Sequence, residues 1–280
     1  MAVQVDEQSP HGTPEARGGV KQQFATLLAS LRDMPPDDAA KVRARLALAL
    51  ATDPWTVETP RGPLSFVAFG KASAGRGAAV ISKQPATIAW IDRFRPGSVF
   101  WDVGANIGVF SLYAALRSDT QVVAFEPAAV NYFLLSANCE VNRLDDRVSC
   151  LLMGLGRTRE IARLEVSQLE PAMSFSFRQR DERAYPGRQA ALIISIDELV
   201  EDFGLACPNY LKVDVPGLTG PIFKGGTRVL RRPEVREIHV EAGGETKGGR
   251  RIREILAEYG FVLSEYTAHG GSGDVTFVRT

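Results

Sequence analysis

The chain has 280 residues, 45% hydrophobic and 24% charged, a globular composition with room for one sizeable core. Its 33 Lys and Arg balance 33 Asp and Glu, so no net field recruits nucleic acid or an anionic membrane. The apolar runs are strand-sized, shorter than the roughly 20 residues of a membrane span, and Cys139, Cys150 and Cys207 form no CxxC pair, which reads as reduced packing residues with no metal site.

Residues 1–20 are rich in Gly, Pro and charge and lack a basic segment leading into an apolar one, so they read as the disordered tail of a cytoplasmic protein. From Lys21, the apolar residues Phe24, Leu27, Leu28 and Leu31 recur at helical spacing until Pro35-Pro36. Asp37 or Asp38 caps a second helix running through Ala51. Residues 56–70 read as a hairpin turning near Arg61-Gly62, and a short helix at about 86–95 carries Ile88, Trp90 and Ile91. Residues 21–96 are accordingly expected to form a helical and hairpin extension packed on a main domain, 97–280.

After Gly97 strands and helices alternate. The strands expected are Val99–Val103, Gln121–Phe125, Arg147–Leu152, Tyr210–Val213, Val235–Val240, Phe261–Glu265 and Val275–Val278. Helices are expected between most of them, at Ile107–Leu116, Ala128–Asn142, Leu218–Leu230 and Arg250–Tyr259. This alternation predicts an α/β fold, a doubly wound parallel sheet covered on both faces. The last two strands are joined by a Gly-rich turn and should pair antiparallel. The result is a seven-strand sheet with six parallel strands and one antiparallel, the class I methyltransferase arrangement. An insertion at about 154–195 contains the alternating segments ARLEVS and SFSFRQ, which predict a hairpin.

The segment Val99 to Phe110 reads VFWDVGANIGVF: an apolar strand ending at Asp102, a glycine-containing loop, then a helix. Ligands of such sheets bind at the carboxyl ends of the strands. Gly104 lets the backbone approach a ligand, and Gly108 lets the helix pack close to the strand. A dinucleotide would need GxGxxG and a seat for its pyrophosphate. Here the spacing is GxxxG, and a carboxylate at Asp102 would repel phosphate. S-adenosylmethionine carries an ammonium and a sulfonium and no phosphate, so an acid there favours it, directly or through water. Glu126 ends the next strand and can accept hydrogen bonds from both ribose hydroxyls. A nicotinamide-dependent oxidoreductase is disfavoured on the same grounds.

The segments FWDVGANIGVFSLYAA and VVAFEPAAVNYFLLSANCEVN, followed by SIDEL, YLKVDVPG and the run from KGGTRVL to HVEA, resemble the FkbM family of methyltransferases over about residues 85–265. The resemblance implies methyl transfer from S-adenosylmethionine to a hydroxyl of a sugar, polyketide or other natural product. It places Asp102, Gly104, Asn106 and Gly108 in the cofactor loop and Glu126 at the ribose. Pro216 stands where the family has the glutamate of DVEG, which leaves an altered substrate or a catalytically silent cofactor-binding module as alternatives. N-methylation is a further one, although no NPPY-type segment follows the fourth strand.

An alcohol attacks a methyl group well only once its proton leaves, so a base is sought near the strand tips. Asp214 ends the fourth strand and ranks first; it also reads as a helix cap or an electrostatic partner of the sulfonium. Glu241 ends the fifth strand and ranks second, with a loop cap as its other reading. His239 ranks third, on the same face as Glu241, and also reads as a core histidine. Asp197 of SIDEL reads as a helix cap. Lys212, on a buried strand, needs a partner. The partner expected for the whole protein is a small-molecule or glycan hydroxyl acceptor.

Overall fold

The computed structural model describes residues 14–67, 69, 73, 75, 77, 82, 84–117, 119–166, 172, 187–215, 217–241, 247–269 and 272–280. Residues 1–13, the SFSFRQ segment and Pro216 lie outside the described residues. The chain forms two compact units, Met1–Thr52 and Asp53–Thr280.

The first unit is a pair of helices, α1 (Pro14–Asp33) and α2 (Pro36–Thr52), separated by Met34-Pro35. Helix α1 starts at Pro14, so residues 14–20 are helical where a tail was expected; proline suits a first helical turn because it has no N–H to leave unbonded. Asp37 and Asp38 occupy the first turn of α2, where carboxylates are favoured by the helix dipole.

The second unit opens with the hairpin β1 (Trp55–Val57) and β2 (Leu64–Phe66), paired antiparallel. Gly62 has φ 118°, and the turn closes by reciprocal backbone bonds between Thr59 and Gly62. Helix α3 (Pro85–Asp92) follows. The hairpin and α3 are locked to the rest of the unit by Arg61: its Nε donates to Asp92 Oδ1 at 2.7 Å, Nη2 to the Ile91 carbonyl at 3.0 Å and Nη1 to the Tyr113 carbonyl at 3.3 Å. The second unit thus begins at Asp53 and includes the hairpin and α3.

The main sheet contains β3 (Val99–Val103), β4 (Gln121–Phe125), β5 (Val148–Leu151), β9 (Tyr210–Val213), β10 (Glu237–Glu241), β11 (Phe261–His269) and β12 (Ser272–Arg279). Its order is β11-β12-β10-β9-β3-β4-β5. The pairs from β10 to β5 are parallel, and β12 is antiparallel to both its neighbours. Helices α4 (Val109–Ala115), α5 (Ala129–Val141), α6 (Ile196–Glu201), α7 (Thr219–Lys224) and α8 (Lys247–Glu258) connect the strands. The single helix expected over Leu218–Leu230 stops at Lys224; Gly225 and Gly226 follow, then a 3-10 turn at Val229–Arg231.

Strand alternation sorts the two faces of this sheet. In register, Trp101 lies beside Leu211, Ile238 and Phe277, and Val103 beside Val213, Val240 and Val275; all belong to one apolar core with Ile222, Phe223 and Leu256. On the opposite face, Asp102 lies beside Lys212, His239 and Thr276, a buried polar rank.

The insertion forms a three-stranded sheet of β6 (Gly154–Leu155), β7 (Glu160–Val166) and β8 (Gly187–Ile194). The strand that pairs antiparallel with ARLEVS is thus GRQAALII. Helix α6 is capped by Ser195 in a capping box with Glu198. Asp197 instead accepts the backbone N–H groups of Arg228 (3.1 Å) and Val229 (2.8 Å), where that 3-10 turn begins. Cys139 and Cys150 meet with their sulfurs 3.3 Å apart, joining α5 to β5 as free thiols. Among the described residues, no helix is long and apolar enough to cross a membrane, and no group of three or more ligating side chains could hold a metal.

Candidate active site

The loop after β3 is built over the tip of β4. The N–H groups of Gly104 and Ala105 both donate to the Phe125 carbonyl at 3.0 Å, and the Gly108 N–H closes the turn onto the Ala105 carbonyl at 2.8 Å. Gly104, Asn106 and Gly108 have φ of 84°, 55° and 89°. Glycine at 104 is needed for contact as well as for φ, since a Cβ there would strike the Asp214 carbonyl; at 108, where a Cβ would meet a terminal methyl of Leu135, it is needed for φ. The loop is thereby pressed against the end of β9 on one side and α5 on the other.

Glu126 binds this loop from below. Its Oε2 accepts the Asn106 N–H and its Oε1 accepts the Ala128 N–H, each at 2.9 Å. The carboxylate therefore joins the loop to the start of α5. It is buried, and burial pushes its pKa up to about 7 against the opposing pull of those two backbone donors. The Asn131 side chain is a third donor to it; two carboxylate oxygens offer about four acceptor positions, so capacity remains for a ribose hydroxyl. Asn138, which the sequence reading passed over, holds the loop from α5: its Nδ2 donates to the Ile107 carbonyl at 2.9 Å, while its Oδ1 accepts the Val67 N–H at 2.7 Å.

Asp102 has a different place from the one expected. It is fully buried, its Oδ2 accepts from Ser111 Oγ at 2.7 Å, and its Oδ1 accepts from Lys212 Nζ at 3.3 Å. Its side chain faces these partners, so it acts on the mouth through the charge balance. Lys212 Nζ also donates to Asp214 Oδ2 at 3.4 Å and lies 4.9 Å from the Phe110 ring centre. Two carboxylates share one ammonium, leaving one net negative charge beside the glycine loop. That sign still suits a cationic ligand and disfavours a phosphate.

Of the three acids and bases considered at the strand tips, Asp214 is nearest to the loop, with a side chain 29% exposed and its backbone N–H on the Val103 carbonyl at 3.0 Å. Glu241 is exposed, opposite Asp274 in the strand register. His239 is at neither the tip nor the mouth. It is a core histidine, stacked on Trp90 at 4.7 Å, with Nε2 3.1 Å from Thr87 Oγ1 and Nδ1 3.0 Å from Thr276 Oγ1. A ring enclosed in this way cannot take a proton from a bound substrate. Arg228 and Arg232 both pair with Glu201.

A model of the methyltransferase FkbM domain matches residues 102–263, more than half of the chain. The chain belongs to the FkbM methyltransferase family. Among curated relatives, it is 31% identical over 160 residues to the hexuronic acid methyltransferase AglP of Haloferax volcanii, a match covering 57% of this chain and 62% of that protein. It is 51% identical over 55 residues to the 31-O-demethyl-FK506 methyltransferase FkbM of Streptomyces tacrolimicus, covering 19% of this chain and 21% of that one. The chain thus spans less than two thirds of either relative. Among solved structures, the precorrin-6y C5,15-methyltransferase of Geobacter metallireducens aligns over 70% of this chain and 87% of its own, with a TM-score of 0.45 and 14% identity. The FkbM match contains Asp102, Glu126, Lys212, Asp214 and Glu241 and excludes the hairpin and α3.

Proposed function

We propose that this FkbM-family chain transfers a methyl group from S-adenosylmethionine to a hydroxyl of a sugar, polyketide or related natural product. The observation that carries the reading is the Glu126 carboxylate, tied to the glycine loop by Asn106 and to α5 by Ala128, at the carboxyl end of a parallel sheet. The names of the two relatives, one for a hexuronic acid and one for 31-O-demethyl-FK506, support an oxygen acceptor.

When bound, S-adenosylmethionine supplies an electrophilic methyl on a sulfonium. The chain supplies position and charge. Glu126 accepts the ribose hydroxyls. The Asp102–Lys212–Asp214 group gives the mouth one negative charge. Asp214, whose carboxylate reaches the mouth, takes the proton of the acceptor hydroxyl, a contribution of about 10²–10⁴-fold for a well-placed base. Glu241, exposed at the neighbouring tip, lines the acceptor side.

The test is incubation of the whole chain with methyl-labelled S-adenosylmethionine and a panel of sugars, uronic acids, polyketide alcohols and amines. Label on an alcohol, as a base-stable ether, is the expected result. Label on amines alone would replace the oxygen acceptor with nitrogen. Binding of the cofactor without label in any acceptor across a broad panel would favour a silent module.

A further inference from the structure

We infer that Lys212 is a positioning residue of this site, tethering the Asp214 carboxylate at the mouth to the Asp102 carboxylate buried behind it. The inference rests on the reading that the mouth serves methyl transfer. It begins with the cost of the lysine. The side chain of Lys212 is 4% exposed, in the middle of a four-residue strand buried along its whole length. A buried ammonium is tolerated only when paired and hydrogen-bonded. One carboxylate would suffice for that purpose, and Asp102 provides it from the adjacent strand at 3.3 Å.

The second carboxylate is what separates this arrangement from a structural ion pair. Asp214 is two residues farther along the chain from Lys212 and 3.4 Å from its Nζ, so the ammonium spans from a fully buried charge to one that reaches solvent. Asp102 is also held by Ser111 Oγ at 2.7 Å, so the buried end of the tether is fixed from α4, and its outer end is the Asp214 carboxylate. The Phe110 ring under Nζ favours the charged form of the lysine. Burial alone would push the ammonium toward deprotonation, but Asp102 and then Asp214 hold its pKa above the ordinary value, so it remains a cation. Among the described residues, the titratable groups facing Lys212 are Asp102 on β3, Asp214 beyond the end of its own strand, and His239, its register neighbour on β10; the α4 residues against it, Phe110 and Ser111, carry no charge. Removing the ammonium leaves two carboxylates in one recess, and like charges at such range do not both remain ionised. Losing the ammonium also takes from Asp214 its hydrogen-bond donor and the cation that favours its ionised form, so its proton affinity rises whichever carboxylate protonates first, and it is no longer held at the mouth.

The experiment is a carbon-13 carboxyl titration of the whole protein without cofactor, with the Asp214 resonance assigned by Asp214→Asn. It is run on the wild type, Lys212→Met and Lys212→Arg. Lys212→Met should raise the proton affinity of Asp214 tenfold or more, and Lys212→Arg should return it to near the wild-type value. If Lys212→Met does not fold, Asp102→Asn/Lys212→Met removes the buried pair as a unit and is titrated in its place, with the same direction expected for Asp214. A parallel measurement compares affinities for S-adenosylmethionine and S-adenosylhomocysteine, which differ in the charge on sulfur. Their ratio should become pH-dependent in the lysine-free variants across the range in which Asp214 then titrates. An Asp214 titration unmoved by loss of the ammonium would overturn the inference while leaving cofactor binding intact. Failure of the wild type to bind either compound would overturn the methyl-transfer reading itself, and the inference with it.

Discussion

Glu126 is an acid kept where ionisation is costly, and that cost has a sign that can be measured. Its folded pKa of about 7 lies above its ordinary 4.5 because burial opposes the charge. A raised folded value means that the contribution to stability is fully present below about pH 4.5 and is lost as pH rises through about 7. The difference is on the order of 3 kcal/mol. Thermal melting of the cofactor-free chain should therefore show a loss of stability across this window that is absent in Glu126→Gln. Ribose hydroxyls are donors and need the ionised acid, so cofactor affinity should climb with pH and level off above about 7. Calorimetry on Glu126→Ala should find affinity lowered by about 10–100-fold, the worth of a charge-assisted hydrogen bond; an unchanged affinity in a folded variant would remove the ribose role. Asp214→Asn should lower kcat by about 10²-fold or more while changing cofactor affinity far less, and a variant turning over at the wild-type rate would dismiss Asp214 as the base.

Between residues and the whole molecule stand the elements, where the thiol pair gives a direct test. With sulfurs 3.3 Å apart on α5 and β5, Cys139 and Cys150 should be cross-linked by diamide, which takes one hydrogen from each thiol. The mass should fall by about 2 Da relative to the dithiol, the bond being S–S in place of two S–H, and both thiols should become unreactive. Persistence of two free thiols would contradict the packing of α5 on β5. This proximity was not legible in the sequence, because an 11-residue separation across a helix–strand connection carries no spacing signature. The strands were legible. Val99–Val103 and Gln121–Phe125 are largely apolar runs with an acid one residue before or after the last position, and the fold only has to place them side by side. The glycine loop and Glu126 were legible for the same reason, their chemistry being local to one strand–loop–helix unit. What could not be read was the use of each polar side chain once strands pair. Asp102 stood out as an acid at a strand end, yet its partner came from a strand about 110 residues later. His239 shared a strand with an acid at the tip, but α3, of which Trp90 and Thr87 are part, encloses it. ARLEVS alternates clearly enough to announce a strand, but alternation does not choose a partner, and GRQAALII supplied it.

At the scale of the molecule, the polar rank Asp102, Lys212, His239 and Thr276 crosses four strands on one face while apolar ranks cross the other. Such a face needs a cover that brings polar partners. Ser111 comes from α4 and Thr87 from α3, and Trp90 of α3 adds both a stacked ring and an N–H on Glu237 at 2.8 Å. A chain trimmed to 53–280 should therefore keep a cooperative melt and bind S-adenosylmethionine like the full chain. A chain trimmed to 102–263 should not fold, since it loses α3 and all of β12; a cooperative transition in that fragment would contradict the account. The amide of Asn138 shows why. One end of it grips Ile107 in the glycine loop and the other grips Val67 beyond the hairpin, while Asn142, one turn later, binds both the N–H and the carbonyl of Ser65. Two asparagines on one helix thus splice a segment outside the family match onto the loop at its heart. What descent marks out as the recognisable module and what holds together as a single machine are different lengths of this chain, and the stitching between them is made of side-chain amides.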